Sequence, residues 1–166
     1  MSLPPANIQA ANGTDPERVL AKLGIELPAL PPLAGKYVRA RSSGRLLYLA
    51  GHLPDSAGVP QYMGKLGLDV SIEDGYRASR VAMINSLATI KASIGSLKRV
   101  TSFIKLLGMV NCAADFVKQT EVVNGASDLL DEVFGQDIGR HARSAVGMHS
   151  LPRGNCVEIE TILEFE

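Results

Sequence analysis

The chain has 166 residues, close to the roughly 150 of a typical domain. Its 17 basic and 17 acidic side chains cancel, and charged residues are 20 % of the total, which argues against a protein that coats a polyanion. Hydrophobic residues make up 46 % and aromatics 5 %, with no Trp, so a core must rest on Leu, Ile, Val, Ala and Met.

Residues 1–35 read as an N-terminal extension. Met1 to Asn12 lacks the basic start and apolar block of a secretory signal, and no apolar run nears the ~18 residues that span a bilayer. A cytoplasmic protein without membrane contact is expected. Thr14-Asp15-Pro16-Glu17 starts a short helix, with Thr14 or Asp15 as cap, Pro in the first turn and an acid for the helix dipole. Gly24 stops it, and Pro28, Pro31 and Pro32 make an extended connector.

The body, residues 36–166, begins with a β-hairpin: Tyr37 to Arg41 and Arg45 to Ala50 around Ser42-Ser43-Gly44. Gly58 to Gly67 holds turn residues around a short strand. Ser71 caps a long helix, Ile72 to Ile94, closed by Gly95, with Tyr76, Met83, Leu87, Ile90 and Ile94 on one stripe. Leu97 to Val110 has the β-branched and apolar content of a long strand. Asp115 caps a second helix, Phe116 to Phe134, with Gly135 after it. Ala142 to His149 and Cys156 to Phe165 follow as a strand pair joined through Pro152-Arg153-Gly154. The expected fold is α+β, two long helices on one face of a single sheet.

Strand faces carry more. Alternation in Val100 to Val110 puts Val100, Ile104, Leu106 and Val110 on one face and Phe103, Leu107 and Met109 on the other. Both faces are apolar, and two helices cover only one. A homo-oligomer is therefore expected; the alternative is a monomer whose N-terminal extension lies across the open face. In the last strand Val157, Ile159, Leu163 and Phe165 form the core face, and Cys156, Glu158, Glu160, Ile162 and Glu164 the other. Treated as a hairpin with a turn over residues 150–155, the final pair sets Ala145 opposite Glu160, so that Arg143, Ala145 and Gly147 share a face with Glu158 and Glu160.

Phosphate loops, zinc-protease motifs and serine-hydrolase elbows are missing, and His52, His141 and His149 have no metal-ligand spacing. Cys112 and Cys156 are too few for a disulfide framework or a four-ligand zinc site, and both read as inert thiols. No metal and no cofactor is expected. Arg143 beside the small residues Ala145 and Gly147 has room to grip a carboxylate or phosphate bidentately. Spacing alone favours the alternative, an Arg paired with Glu160 at an oligomer seam. Lys36, Arg39, Arg41 and Arg45 read as a solvated hairpin rim.

Three stretches are familiar. His141-Ala142-Arg143-Ser144-Ala145-Val146, then Leu151-Pro152, then Val157-Glu158-Ile159-Glu160 resemble the carboxy-terminal signature of the RidA/YjgF/UK114 family, also called endoribonuclease L-PSP. Leu46 to Pro54 resembles that family's strand ending in a Gly-Gln-(Ile/Leu)-Pro turn, and Tyr37 matches its early aromatic. The resemblance covers residues 36–166, in a longer-chain branch. It implies a chorismate-mutase-like fold, a homotrimer with sheets facing inward, and ligand sites in clefts between subunits. It also implies hydrolysis of 2-imino and enamine acids to 2-keto acids and ammonia. Arg143 falls on the family's carboxylate-binding Arg, Glu158 on its cleft Glu, and Tyr37 and Gly51 on two further cleft positions. Ala50 stands where RidA often has Ser, Ala145 where it commonly has Cys, and His52 where it has Gln. Asn124 is a candidate for the family's helix Asn, but its spacing to Val133-Phe134 differs, and the equivalence stays open.

The expected chemistry is that of an imine hydrolase. Arg143 fixes the substrate carboxylate while the cleft holds a water that Glu158 orients or relays a proton from; otherwise Glu158 partners a basic rim residue. Free imines already react with water, so about 4 kcal/mol of barrier reduction gives a thousandfold gain. Ala50 and Ala145 leave a second reading open, a non-catalytic trimer that binds small carboxylates. RNA cleavage, suggested by the older family name, is disfavoured by zero net charge and few aromatics, so no nucleic-acid partner is expected.

Overall fold

In the computed structural model, which describes residues 15–33 and 35–166, Asp15 caps the first helix, α1 (Pro16–Lys22). Its carboxylate accepts from the backbone N–H groups of Glu17 and Arg18. Thr14, the other candidate cap, and the rest of residues 1–14 lie outside the described residues. The helix is docked rather than loose. Leu20 is buried in the core, and the Glu17 carboxylate takes Lys91 Nζ at 2.9 Å, Ser96 Oγ at 3.0 Å and the Leu97 amide at 3.2 Å. An ion pair from Lys98 to Asp15, at 2.8 Å, ties down the cap.

The hairpin forms from β1 (Ala40–Ser43) and β2 (Leu46–Leu49), turning at Gly44 and Arg45. Gly44 has φ 58°, a left-handed conformation that a side chain resists. A small second hairpin, β3 (Asp55–Ser56) and β4 (Val59–Pro60), follows. The helix α2 (Ile72–Ile94) starts at Ser71, whose Oγ accepts from Asp74 N, and ends at Gly95, φ 87°. Four residues of the expected stripe are buried, while Tyr76 is half-buried with its hydroxyl on Asp128. Ala78, Ser79, Ala82 and Ser86 are buried too, because α2 packs against both the sheet and the next helix.

A 3₁₀ turn (Leu97–Arg99) leads into β5 (Val100–Asn111). The helix α3 (Gln119–Gly139) starts later than Asp115 predicts, and its cap position, Lys118, makes no side-chain bond; Ala113 to Phe116 form a turn instead. Gly135, at φ 72°, interrupts the helix where the sequence ends it, and one helical turn resumes beyond. β6 (Ala142–Met148) and β7 (Val157–Phe165) complete the chain, separated by a 3₁₀ turn at Pro152–Gly154.

The sheet order is β1-β2-β7-β5-β6, mixed, with only β5 and β6 parallel. This corrects the expected terminal hairpin: β6 and β7 do not touch as neighbours. The crossover through α3 lays β6 parallel on one edge of β5, and β7 returns antiparallel on the other. Pairing through β5 aligns Ser144 with Leu107 and Glu160, and Ala145 with Gly108 and Ile159. Arg143, Ala145 and Gly147 therefore share the helix-covered face with Thr161, Ile159 and Val157. Glu158 and Glu160 lie on the opposite face.

Faces in β5 are corrected as well. Irregularities in its pairing with β7, between Val100 and Ser102 and between Phe103 and Lys105, break the alternation. Phe103 turns into the core, edge-on to Phe134 with ring centroids 5.0 Å apart, while Ile104 is 42 % exposed. The helix-free face bears exposed Tyr48, Val146 and Met148 beside half-buried Leu107, Met109 and Ile162. Among the described residues α1 lies against α3 and the 3₁₀ turn, on the helical side, and does not cover that face.

Candidate functional site

Where β2 ends, the chain runs on beside β7: the His52 amide donates to the Ile159 carbonyl at 2.8 Å, and the Ile159 amide to His52 O at 2.9 Å. The side chain of Glu158, one residue earlier on β7, folds across Gly51. A cleft of about 610 Å³ opens here, lined by Tyr37, Arg39, Ala50, Gly51, His52 and Glu158, with the connector Pro28–Pro32 along one wall. Tyr37, 53 % exposed, stands at its rim.

Glu158 is half-buried and has no hydrogen bond to its carboxylate among the described residues. Burial, and then the charge of Glu160, push its carboxyl above the usual range. A carboxyl so placed holds a proton more readily than an exposed one and has a free oxygen to offer a ligand or water in the cleft. His52 behaves differently. Its Nδ1–H donates to the Ala50 carbonyl at 2.8 Å, and Nε2 accepts from the Thr89 hydroxyl at 2.8 Å. Burial lowers its pKa to about 4, so the ring is neutral at pH 7 and serves as floor.

Two polar side chains that the sequence did not single out hold the cleft's rim. Asn85 donates to the carbonyls of Leu53 and Asp55, at 2.8 and 2.9 Å. Arg153, in a left-handed conformation at φ 59°, bonds Asp55 Oδ2 and the Gly58 carbonyl, both at 2.7 Å. Nothing local announces a non-glycine residue in that conformation. Arg39, expected on a solvated rim, lines the cleft instead. No local signal could have found it, since the chain bends at Tyr37 and Arg39 ahead of β1 and the cleft wall comes from the distant connector.

Arg143 is elsewhere. On β6 it faces α3, where its Nη1 donates to Asn124 Oδ1 and Ser127 Oγ, both at 2.9 Å. Its partners are neutral, and no carboxylate among the described residues lies within ion-pair distance, so within one chain Arg143 and Glu160 do not pair. Burial lowers the Arg143 pKa, and Asp128 opposes this. His141 continues the network: Nδ1–H donates to the Gly139 carbonyl at 2.7 Å, and Nε2 lies 3.1 Å from Ser127 Oγ. Ala145 is half-buried two residues on. Within one chain, then, Tyr37, Ala50, Gly51 and Glu158 come together, while Arg143, Ala145 and Asn124 lie at the other end of the sheet order.

Cys156 is buried, and its thiol is pushed up to about 12, an inert setting. Among the described residues no group of three or more His, Cys, Asp or Glu side chains could hold a metal ion, and no helix is long and apolar enough to cross a membrane.

Known proteins share this fold. The curated Trypanosoma cruzi protein TCP17 is 39 % identical over 145 residues, covering 87 % of this chain and 91 % of its own. The crystal structure of Atu1372, a protein of unknown function from Agrobacterium tumefaciens, has 42 % identity and a TM-score of 0.83, covering 91 % of this chain and 94 % of that one. An endoribonuclease-named structure from Shewanella oneidensis has 32 % identity and a TM-score of 0.87, covering 92 % and 100 %. The family described as "YjgF/chorismate_mutase-like, putative endoribonuclease" matches residues 17–159, which takes in most of α1, the cleft and the Arg143 network. The chain belongs to the YjgF/chorismate mutase-like family.

Proposed function

We propose that the protein hydrolyses 2-imino acids and their enamine tautomers to 2-keto acids and ammonia. The observation that carries this reading is a pair of complementary, unsatisfied groups. Glu158 has a raised, unbonded carboxyl in an open cleft, and the Arg143 guanidinium spends two bonds on neutral partners and none on an acid. The two meet in an assembly: β6 is an edge strand, and a homotrimer closed by the apolar helix-free face brings the β6 edge of one subunit to the cleft of the next.

In that site Arg143 of one subunit holds the substrate carboxylate through its remaining N–H groups, and Tyr37 and the Gly51 backbone bound the imine. A water in the cleft adds to the imine carbon, and its proton passes by way of Glu158 to the nitrogen. The hydroxyl proton of the resulting carbinolamine then passes to the nitrogen by the same route as the carbon–nitrogen bond breaks, leaving the keto acid and ammonia. Positioning and charge supply the modest acceleration required, without a covalent intermediate.

The test generates 2-imino acids with an amino-acid oxidase and traps them with semicarbazide. Lower semicarbazone yield with wild type, restored by Arg143→Ala, is expected. Equal yields across several amino acids overturn the reading and favour a trimer that only binds small carboxylates. The apolar Ala50 and Ala145, each where RidA commonly carries a polar group, favour that second reading.

A further inference from the structure

The cleft contains a cation that the reaction above does not use. Arg39 is half-buried on the cleft wall, and among the described residues it has no carboxylate within ion-pair distance. Its one polar contact there is Nη2 donating to the Pro31 carbonyl. The other cleft arginine, Arg153, is consumed by Asp55 and Gly58. Arg39 is thus a half-desolvated charge with most of its donor fork unassigned, beside space large enough for a small molecule.

The fork is also held in place. Pro31 precedes Pro32, which restricts it to extended backbone and fixes the direction of its carbonyl. The connector Pro28–Pro32 walls the same cleft, so it orients Arg39 and bounds the space in front of it. In the proposed trimer, a ligand gripped at one carboxylate by the Arg143 of a neighbour would present its other end to this wall.

We infer that Arg39 is a specificity-determining residue, and that the preferred ligands carry a second carboxylate: 2-imino acids derived from acidic amino acids. The inference rests on the proposed deaminase reading for the first carboxylate, and on Arg39 and its wall for the second.

The experiment compares acidic with neutral 2-imino acids, each generated by an appropriate oxidase, on wild type, Arg39→Met and Arg39→Lys, with succinate and butanoate titrated by calorimetry in parallel. Wild type is expected to favour the acidic imino acid in kcat/KM. Arg39→Met should lower that acidic-to-neutral ratio about ten- to a hundredfold, the worth of one charge-assisted bidentate contact, with partial rescue by Lys. A wild-type ratio of one or less, or a ratio unmoved by Arg39→Met, overturns the inference and makes Arg39 a clamp on the connector. If wild type hydrolyses no imino acid, the deaminase reading falls by itself, and the titration decides for Arg39. Succinate binding more tightly than butanoate, with the difference lost in Arg39→Met, supports the inference, and equal affinities overturn it. Tighter binding of 3-phosphonopropanoate than of succinate overturns the carboxylate assignment.

Discussion

The carboxylate of Glu158 occupies the space in which a side chain at Gly51 would begin: a Cβ built there would stand less than 3.0 Å from Glu158 Oε1. Backbone strain is not at issue at this glycine; room is. Gly51→Ala should displace the carboxylate by about 1 Å and lower kcat/KM about a hundredfold, with little change in unfolding midpoint. Unchanged kinetics would show that Glu158 does not need its present position.

Arg143→Lys replaces a planar five-donor fork by a three-donor ammonium, which has one N–H left after Asn124 and Ser127 and cannot grip a carboxylate bidentately. A loss of at least about tenfold in kcat/KM is expected, carried mainly by KM. Circular dichroism of the variant should match wild type.

His52 makes stability depend on acid. Its folded pKa, about 4, lies below the ordinary 6.5, so its contribution is fully present above pH 6.5 and is lost as pH falls towards 4. The full shift corresponds to about 3 kcal/mol, with burial as its main cause. Urea unfolding at fixed protein concentration should give a free energy falling between pH 6.5 and 4.5, and His52→Gln should flatten that slope.

At Gly125 the backbone of α3 comes close to that of α2: a Cβ there would stand less than 3.0 Å from the Tyr76 carbonyl oxygen. Backbone cannot yield as a flexible side chain does. Gly125→Ala is expected to destabilise the fold by about 3 kcal/mol, the upper end of overpacking costs, as read by urea denaturation.

The helix-free face of the sheet should be buried in the proposed trimer. Wild type is expected to sediment at three times the chain mass at micromolar concentration. Val146→Glu, which sets a charge on that face, should shift it towards monomer. A monomeric wild type would overturn the trimer, and with it the route by which Arg143 reaches a cleft.

Local signals were legible where the physics is local. Ser71 and Gly95 bound α2 because a hydroxyl cap and a left-handed stop act within one turn, and the apolar stripe between them fixes the buried side. The alternating β7 pattern likewise named its core face. What adjacency in sequence does not contain is adjacency in the sheet. Reading β6 and β7 as a hairpin omitted β5 from between them, and with it the parity that puts Arg143 and Glu158 on opposite faces. Irregular pairing around Ser102 and Ile104 carries no composition signal, so Phe103 and Ile104 exchanged sides unannounced. The family resemblance carried Tyr37, Gly51 and Glu158 to one cleft, but Arg39 read as rim because the wall that half-buries it comes from the connector at Pro28–Pro32.

The central place of β7 bears on how the protein is made. Until the ribosome has released residues 157–165, β2 and β5 have no strand to join them, and each presents an open edge with apolar flanks. Once β6 is complete at Met148, the growing chain holds two unmatched half-sheets, β1-β2 and β5-β6, until the nine residues of β7 join them. Fragments that stop before Val157 are expected to aggregate through those open edges.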